Sequence, residues 1–355
     1  MTILVIGAGP VGLTVATELA RRGFPVEIVD RRDGPSELSR AVGIIPNTIN
    51  KLRACGAGDA MEREGMKITK LRFNRAGRDI LKLNFSPLYE NSTYMIGLAL
   101  NRTEFHITQA LKKYGVTVQH GRRVESVKNN EMSADVTFDD GQVKTYEWVV
   151  ACDGIHSSIR EMMGIEYVGQ DLEEEGFIAD IDVGDTLEFN TIAAYSSILG
   201  TKVAMGCIPI EKQRISIGSA RGDIMELIEQ VFDVKKVHYQ ATFKLAFKQA
   251  DRYREGRVLL AGDSAHCTTP TDARGMNLGI DDALALVDAI ESGTVDSYSD
   301  ARKEIGAKVL AKSVKAHNFL YKKKRSLSGT IELMCWMVTA SHYLQRKLFR
   351  RLYDL

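Results

Sequence analysis

The stretch 3-ILVIGAGPVGLTVATELARRGFPVEIVD-30 decides the fold. Ile3 to Ile6 is an unbroken apolar run, as expected of a strand buried on both faces of a parallel sheet. Gly7, Gly9 and Gly12 follow as GxGxxG. The first glycine permits a tight turn, the second lets backbone approach a pyrophosphate, and the third lets a helix pack closely on the strand. Leu13 to Ala20 reads as that helix, closed by Arg21, Arg22 and Gly23, where a helix end favours cations and a glycine. VEIVD is the next strand, and Asp30 ends it at the spacing of a ribose-binding acid. Its carboxylate would repel a 2′-phosphate, so the site suits a dinucleotide with free ribose hydroxyls. NAD and FAD both qualify, and nothing near the motif chooses between them.

The chain of 355 residues has room for two domains, or for one with an inserted lobe. Hydrophobic content of 44% beside 26% charged residues is ordinary for a soluble globular protein. A formal net charge of +1 gives no reason to expect nucleic acid. Cys55, Cys152, Cys207, Cys267 and Cys335 are scattered and without metal-ligand spacing, which argues against a disulfide framework and against zinc. A reducing, cytoplasmic setting fits best. The N-terminus lacks the basic region and cleavage site of a signal peptide. No apolar stretch approaches the ~18–20 residues of a membrane-spanning helix.

Outward from the first motif, a simple NAD dehydrogenase would continue with further βαβ units. Instead LRFNRAGRDILKLNF (71–85) alternates around Ala76-Gly77 as a β-hairpin. A helix pattern, RTEFHITQALKKYG, and the strands VTVQHG and ADVTFDDGQVKTYEWVVACDG then resume the first domain. Such interleaving leaves a cleft between two lobes. In WVVACDGIHSSIREMMG, the strand Trp148 to Ala151 delivers Asp153-Gly154 to a helix carrying Ser157 and Arg160. Taken alone, Asp153 is as readily a solvated turn residue. In RVLLAGDSAH, the strand Val258 to Ala261 ends in Gly262-Asp263, and PTDARGMNLGIDDALAL turns into a helix near Gly275 to Leu278. A carboxylate at such a strand end can accept from sugar-like hydroxyls, and a glycine-rich helix start can hold an anion or an electron-rich carbonyl.

These residues resemble the flavoprotein aromatic monooxygenases related to para-hydroxybenzoate hydroxylase. The family's DG pattern is met by Asp153, Gly154, Ser157 and Arg160. Its GD pattern is met by Gly262, Asp263, His266, Pro270, Gly275, Asn277, Asp282 and Ala283. The match runs from Met1 to about Arg302, in YSDAR. The resemblance implies an α/β fold: a Rossmann-like FAD-binding domain (1–70, 98–165 and 255–300) interleaved with a smaller antiparallel-sheet substrate domain (71–97 and 166–254). C-terminal helices (301–355) complete it.

The resemblance also implies a site. Gly7, Gly9, Pro10, Val11 and Gly12 would hold the FAD pyrophosphate and Asp30 the adenosine ribose, with Arg31 also among the cofactor-binding residues. Asp263 would bind the ribityl chain, with Asp153 beside the cofactor. The loop from Pro270 to Asn277 would lie against the isoalloxazine ring, with the amides after Gly275, those of Met276 and Asn277, near its pyrimidine edge. Arg40 and Arg102 match flavin-contacting positions, and Val124 would meet adenine through its backbone. With one dinucleotide fingerprint in the chain, NADH or NADPH would dock transiently. O2 would then give a C4a-hydroperoxyflavin that hydroxylates an aromatic or polyketide-like compound.

Pro270, Asp272 and Arg274 are the candidate catalytic residues, and two of them depart from the family. Asp272 replaces a glycine and Arg274 stands at a glutamine position; the carboxylate would disfavour anionic reduced flavin and the arginine would favour it. Two alternatives stand beside hydroxylation. One is a same-fold flavin reductase or epoxidase; the other is a low-turnover flavin-binding partner protein. With only Trp148 and Trp336, a flavin halogenase is disfavoured.

Other residues read more plainly. His266 is a structural hydrogen-bonder and Cys267 a buried small side chain. DLEEEG (171–176) reads as a solvated turn, and the alternating runs over 166–246 as the antiparallel sheet. Tyr195, Met205 and Phe243 fit either a pocket lining or core. In the basic tail, 322–355, Leu333, Met337, Ala340, Leu344, Leu348 and Leu352 share a helical face. Packing on the protein itself or on a homodimer mate comes ahead of membrane-surface contact.

Overall fold

The computed structural model describes residues 2–36, 41–84, 94–184, 188–196, 198–201, 203–269, 274–318, 335, 337–339, 341, 343–345 and 347. Its first layer follows from three buried apolar runs. Ile3–Ile6, Trp148–Ala151 and Val258–Leu260 are each buried throughout, which only a sheet covered on both faces allows. They lie side by side in a six-stranded sheet. Its order is Arg254–Glu255, Val258–Leu260, Trp148–Ala151, Ile3–Ile6, Val26–Asp30 and Val118–His120. All pairings are parallel except that of the edge strand Arg254–Glu255. This is the doubly wound, Rossmann-like arrangement expected.

Helix Pro10–Arg21 leaves the first strand with proline at its start, where the missing N–H costs nothing. It packs against helix Gly275–Ser292, which Gly293 ends in the left-handed region at φ 70°.

The second layer is an eight-stranded, mainly antiparallel sheet. Its order is His266–Cys267, Val234–Ala250, Tyr167–Val183, Arg214–Ser219, Ala204–Glu211, Thr191–Ser196, Lys70–Arg75 and Arg78–Asn84. The expected hairpin is its last pair: Ala76 and Gly77 both take positive φ, 49° and 82°, as a two-residue turn between twisted strands requires. Two strands of 17 residues each, Tyr167–Val183 and Val234–Ala250, run from the first layer to the far end of the second. At ~3.3 Å per residue each spans about 55 Å.

Here one expectation is corrected. DLEEEG is not a turn: it lies inside Tyr167–Val183, where the register slips between Asp171 and Glu175. A bulge carries acidic side chains outward on a continuous strand, so composition alone looked like a loop.

A three-stranded sheet (Ala41–Ile44, Met95–Ala99, Met66–Ile68) joins the two layers. Ile45, Ile68 and Met95 pack on Ile192 and Ile208 of the large sheet. A Cβ on Gly97 would stand 1.9 Å from the Pro209 carbonyl oxygen, so glycine sets this close approach. The other face of the large sheet is sealed by Met225–Val231 over a separate core that includes Phe177, Ile181, Met205 and Ile217. Tyr195 packs against that core, with its ring 5.8 Å from Phe232. Tyr195 and Met205 are thus core, whereas Phe243 covers Gly176 on the opposite face.

Among the described residues no helix is long and apolar enough to cross a membrane. Of the tail positions, Met337 is exposed and Leu344 half-buried. Leu333, Ala340, Leu348 and Leu352 lie outside the described residues.

Candidate functional site

Parallel register brings three distant motifs to one edge. Ile6 is level with Ala151, and Ala151 with Leu260. The turns that follow, at Gly7, at Asp153-Gly154 and at Gly262-Asp263, therefore emerge together at the carboxyl ends of neighbouring strands, where open α/β sheets bind ligands.

Steric fit locks the turns together. A Cβ on Gly7, itself at φ 101°, would lie 2.4 Å from the Cys152 carbonyl oxygen, and one on Gly12 1.9 Å from the Gly7 oxygen. The Val11 side chain fills the space left by two further glycines: a Cβ on Gly262 or Gly279 would approach its Cγ2 to 2.9 or 2.6 Å. Gly9 is different, because no described residue lies within 4 Å of where its Cβ would be. Among the described residues, Gly275, at the other helix start, meets only the Thr268 hydroxyl at 3.8 Å.

Those two glycines stand at the starts of Pro10–Arg21 and Gly275–Ser292. Neither helix has a side-chain cap or an acidic residue in its first turn. Their first-turn N–H groups carry the positive end of the helix dipole toward the cleft, suited to a phosphate at one helix and an electron-rich carbonyl edge at the other.

Four carboxylates line or support this edge. Asp30 accepts from the Ala8 N–H at 2.7 Å and the Arg32 N–H at 2.8 Å, while the Arg32 guanidinium binds both its oxygens at 3.0 Å. Burial opposes its ionisation, but these donors outweigh it and hold the carboxyl below its ordinary range. Asp153 accepts from the Ile159 N–H at 3.4 Å through Oδ2, while its buried Oδ1 has no hydrogen-bond partner among the described residues. Burial pushes this carboxyl above its ordinary range. Asp263 is exposed at its strand end, and its carbonyl accepts from the Tyr167 hydroxyl at 2.9 Å.

Asp282 is fully buried beneath the cleft. It accepts from Arg302 Nε at 2.6 Å, lies 2.5 Å from His266 Nε2, and meets the Gly262 N–H at 3.3 Å. Burial disfavours every charge here, yet the ion pairs outweigh it, lowering Asp282 and raising His266 and Arg302. His266 therefore anchors the third motif, as a structural histidine would. Tyr298 does the same through a 2.9 Å hydrogen bond to the Leu260 carbonyl. Arg160 of the second motif reaches the Ser264 carbonyl of the third at 3.2 Å.

The remaining sequence candidates fall in several places. Asn277 uses its side chain as a strut, accepting from Ile45 N–H at 3.2 Å and donating to the Gly43 carbonyl at 3.0 Å. Met276 follows Gly275 in the first turn of the same helix. Arg274 is buried immediately before that helix. Arg102 pairs with Glu64 at 2.5 and 2.9 Å and stacks 4.3 Å from Phe105. Val124 is buried at the start of its strand, and Arg31 is exposed. Arg40, Pro270 and Asp272 lie outside the described residues. Arg32 and Glu104 were missed by sequence reasoning. Glu104 lies 3.7 Å from the Arg32 guanidinium and is nearly buried. The available signal was a second arginine directly after Asp30-Arg31 and an acid two residues beyond Arg102.

The site's chemistry agrees with what the chain resembles. Residues 1–216 and 219–313 match the model of a family described as the FAD binding domain. The chain is 27% identical over 366 residues to a 12-dehydrotetracycline 5-monooxygenase/anhydrotetracycline 6-monooxygenase of Streptomyces rimosus subsp. rimosus, covering 94% of this chain and 72% of that protein. It is 26% identical to a pentachlorophenol 4-monooxygenase of Sphingobium chlorophenolicum, covering 93% and 67%. Its fold superposes on the crystal structure of p-nitrophenol 4-monooxygenase PnpA from Pseudomonas putida DLL-E4 with a TM-score of 0.88, over 99% and 98% of the chains. At 21% identity that likeness concerns fold alone.

Proposed function

We infer, from the premise that the chain belongs to the FAD-binding-domain family, a flavoprotein monooxygenase that uses NADH or NADPH and O2 to hydroxylate an aromatic or polyketide-like small molecule. The observation that carries this reading is the convergence of three strand ends with two uncapped helix starts on one open cleft. FAD, when bound, supplies the electron transfer and oxygen activation; the protein supplies binding, orientation and exclusion of water.

The residues present fit that cofactor. Gly9 leaves backbone open where a pyrophosphate would sit, and Asp153 keeps an unpartnered buried oxygen at the same edge. In this assignment Gly7, Gly9, Pro10, Val11 and Gly12 hold the pyrophosphate, Asp30 the ribose, and Asp263 the ribityl hydroxyls. The amides after Gly275 hold the pyrimidine edge. Arg274 is assigned to the reacting ring, and Pro270 and Asp272 join it on the sequence resemblance alone. The cofactor module comprises 1–70, 98–165 and 255–300, and the substrate module 71–97 and 166–254.

The acceptor is assigned to the large sheet. One cross-strand row there reads Ile178, Gly218, Gly206, Ala194 and Phe73. It shares a face with Ile192 and Ile208, which pack on the cofactor module. Among the described residues nothing lies within 4 Å of where a Cβ on either glycine would be. A phenolic acceptor agrees with the activities of the relatives on pentachlorophenol and on anhydrotetracycline.

The test is direct. Purified protein should take up FAD, and phenolic or polycyclic compounds should accelerate NAD(P)H oxidation, with one atom of labelled O2 entering the product. Gly206→Leu should abolish that acceleration while FAD uptake stays unchanged. A colourless protein that refuses flavin would end the reading. Substrate reduction without O2 would move it to a reductase, and flavin that NAD(P)H never reduces would leave a binding partner.

A further inference from the structure

At the adenosine end of the cleft the ribose acid is already engaged. The Arg32 guanidinium spans both oxygens of Asp30 at 3.0 Å and donates to the Ala8 carbonyl at 3.1 Å, so it lies across the GxGxxG turn. Ribose hydroxyls need those same oxygens. On its other side Arg32 faces Glu104, whose Oε2 lies 3.7 Å from Nη1. Glu104 comes from helix Leu100–Lys112 and also takes the Ser36 N–H, bridging that helix to the loop after Asp30.

We propose that Glu104 is a positioning residue of the cofactor site: as a carboxylate it draws the Arg32 guanidinium off Asp30, freeing Asp30 to accept the ribose hydroxyls of FAD. The proposal rests on the reading that Asp30 receives the ribose. Arg32 is then a movable cation shared by two acids, and which acid holds it decides whether the site is open.

Glu104 is placed to act conditionally. Burial pushes its carboxyl up to about 7, with Arg32 opposing and Asp30 adding to the rise. Among the described residues the charged groups facing it are Arg32 and Asp30. On its own helix, Arg102 and His106 turn to Glu64 of Ala57–Glu64. On the packed helix Pro10–Arg21, Glu18 and Arg21 bind each other at 2.8 Å. Protonated, Glu104 loses its pull and Arg32 stays on Asp30. FAD therefore binds the ionised form, and its affinity falls as pH drops through 7.

The experiment measures the FAD dissociation constant of flavin-free protein by flavin fluorescence at pH 6 and pH 8, with circular dichroism confirming the fold of each variant. Coupling to one proton near pH 7 makes the wild-type Kd about tenfold weaker at pH 6 than at pH 8. Glu104→Gln should show the weak value at both pH values. Arg32→Gln, with the competitor gone, should be independent of pH. If Glu104→Gln or Arg32→Gln keeps the wild-type slope, the proposal is overturned while FAD binding stands. If Asp30→Ala binds FAD as tightly as wild type, the ribose assignment fails first and takes the proposal with it. A wild type that takes up no FAD removes the whole reading.

Discussion

The cleft has a three-membered charge cluster at each end, built from similar side chains with opposite consequences. Under the third motif, Asp282, His266 and Arg302 are buried together, and the carboxylate is saturated by two charged partners and a backbone N–H. At the adenosine end, Asp30, Arg32 and Glu104 share one arginine between two acids, and that arginine's side chain is 36% exposed. The contrast teaches that burial alone does not make a charge cluster structural. A cluster sealed on every side fixes a strand end; one whose shared arginine reaches solvent can exchange partners with a ligand.

The sharpest way to break the comparison is to remove the saturated centre. Asp282→Ala leaves Arg302 charged and buried without its partner and takes from His266 the carboxylate that keeps it protonated, a loss of about 3–5 kcal/mol for a buried pair stripped of one partner. Chemical denaturation should show it, and a loss under about 1 kcal/mol would mean the cluster is not structural.

Next come the glycines that separate packing from ligand contact. Gly12→Ala drives a Cβ against the Gly7 carbonyl and should cost about 1–3 kcal/mol in the flavin-free protein. Gly9→Ala, with nothing near its Cβ, should leave that stability within about 0.5 kcal/mol and weaken only FAD binding. Equal melting losses for both would show that Gly9 is a packing residue.

The two ends also differ in pH response. His266 has a folded pKa raised above its unfolded value, so its contribution is complete below about 6.5 and is lost as pH rises through the raised value. Glu104 is raised as well, so its contribution is present below about 4.3 and is lost by about 7. Melting temperature of flavin-free protein should therefore decline in two separable steps. His266→Gln should remove the later step and Glu104→Gln the earlier one. A single step removed by either variant would mean the clusters are coupled.

The smallest effect belongs to Arg102. Its pair with Glu64 is half-exposed, so Arg102→Ala should cost at most about 1 kcal/mol. A fall in FAD affinity well beyond that would support the flavin contact assigned to this position. An unchanged affinity would leave Arg102 as a surface partner of Glu64.

Much of this was legible along the chain because it is local. Four-residue apolar runs before glycine turns mark buried parallel strands, and Ala76-Gly77 marks a hairpin, since each depends on backbone conformation over a few residues. DLEEEG misled for the complementary reason: a bulged strand and a turn share acidic composition, and only pairing with Val234–Ala250 distinguishes them. Tyr195 and Met205 face a sealed core and not the cleft because Met225–Val231 covers that side, which no periodicity in the strands could reveal.

By itself, the order of residues determined the nucleotide turn, the strand and helix types, and the three spaced motifs that point to FAD. These rest on steric rules acting between neighbours in sequence. Tertiary structure alone decided that Ile6, Ala151 and Leu260 stand level, that Val11 fills the space left by Gly262 and Gly279, and that Glu104 stands 3.7 Å from the arginine that binds Asp30. Those are contacts between residues up to some 270 positions apart, set by packing and by the competition of buried charges, and a linear pattern carries neither.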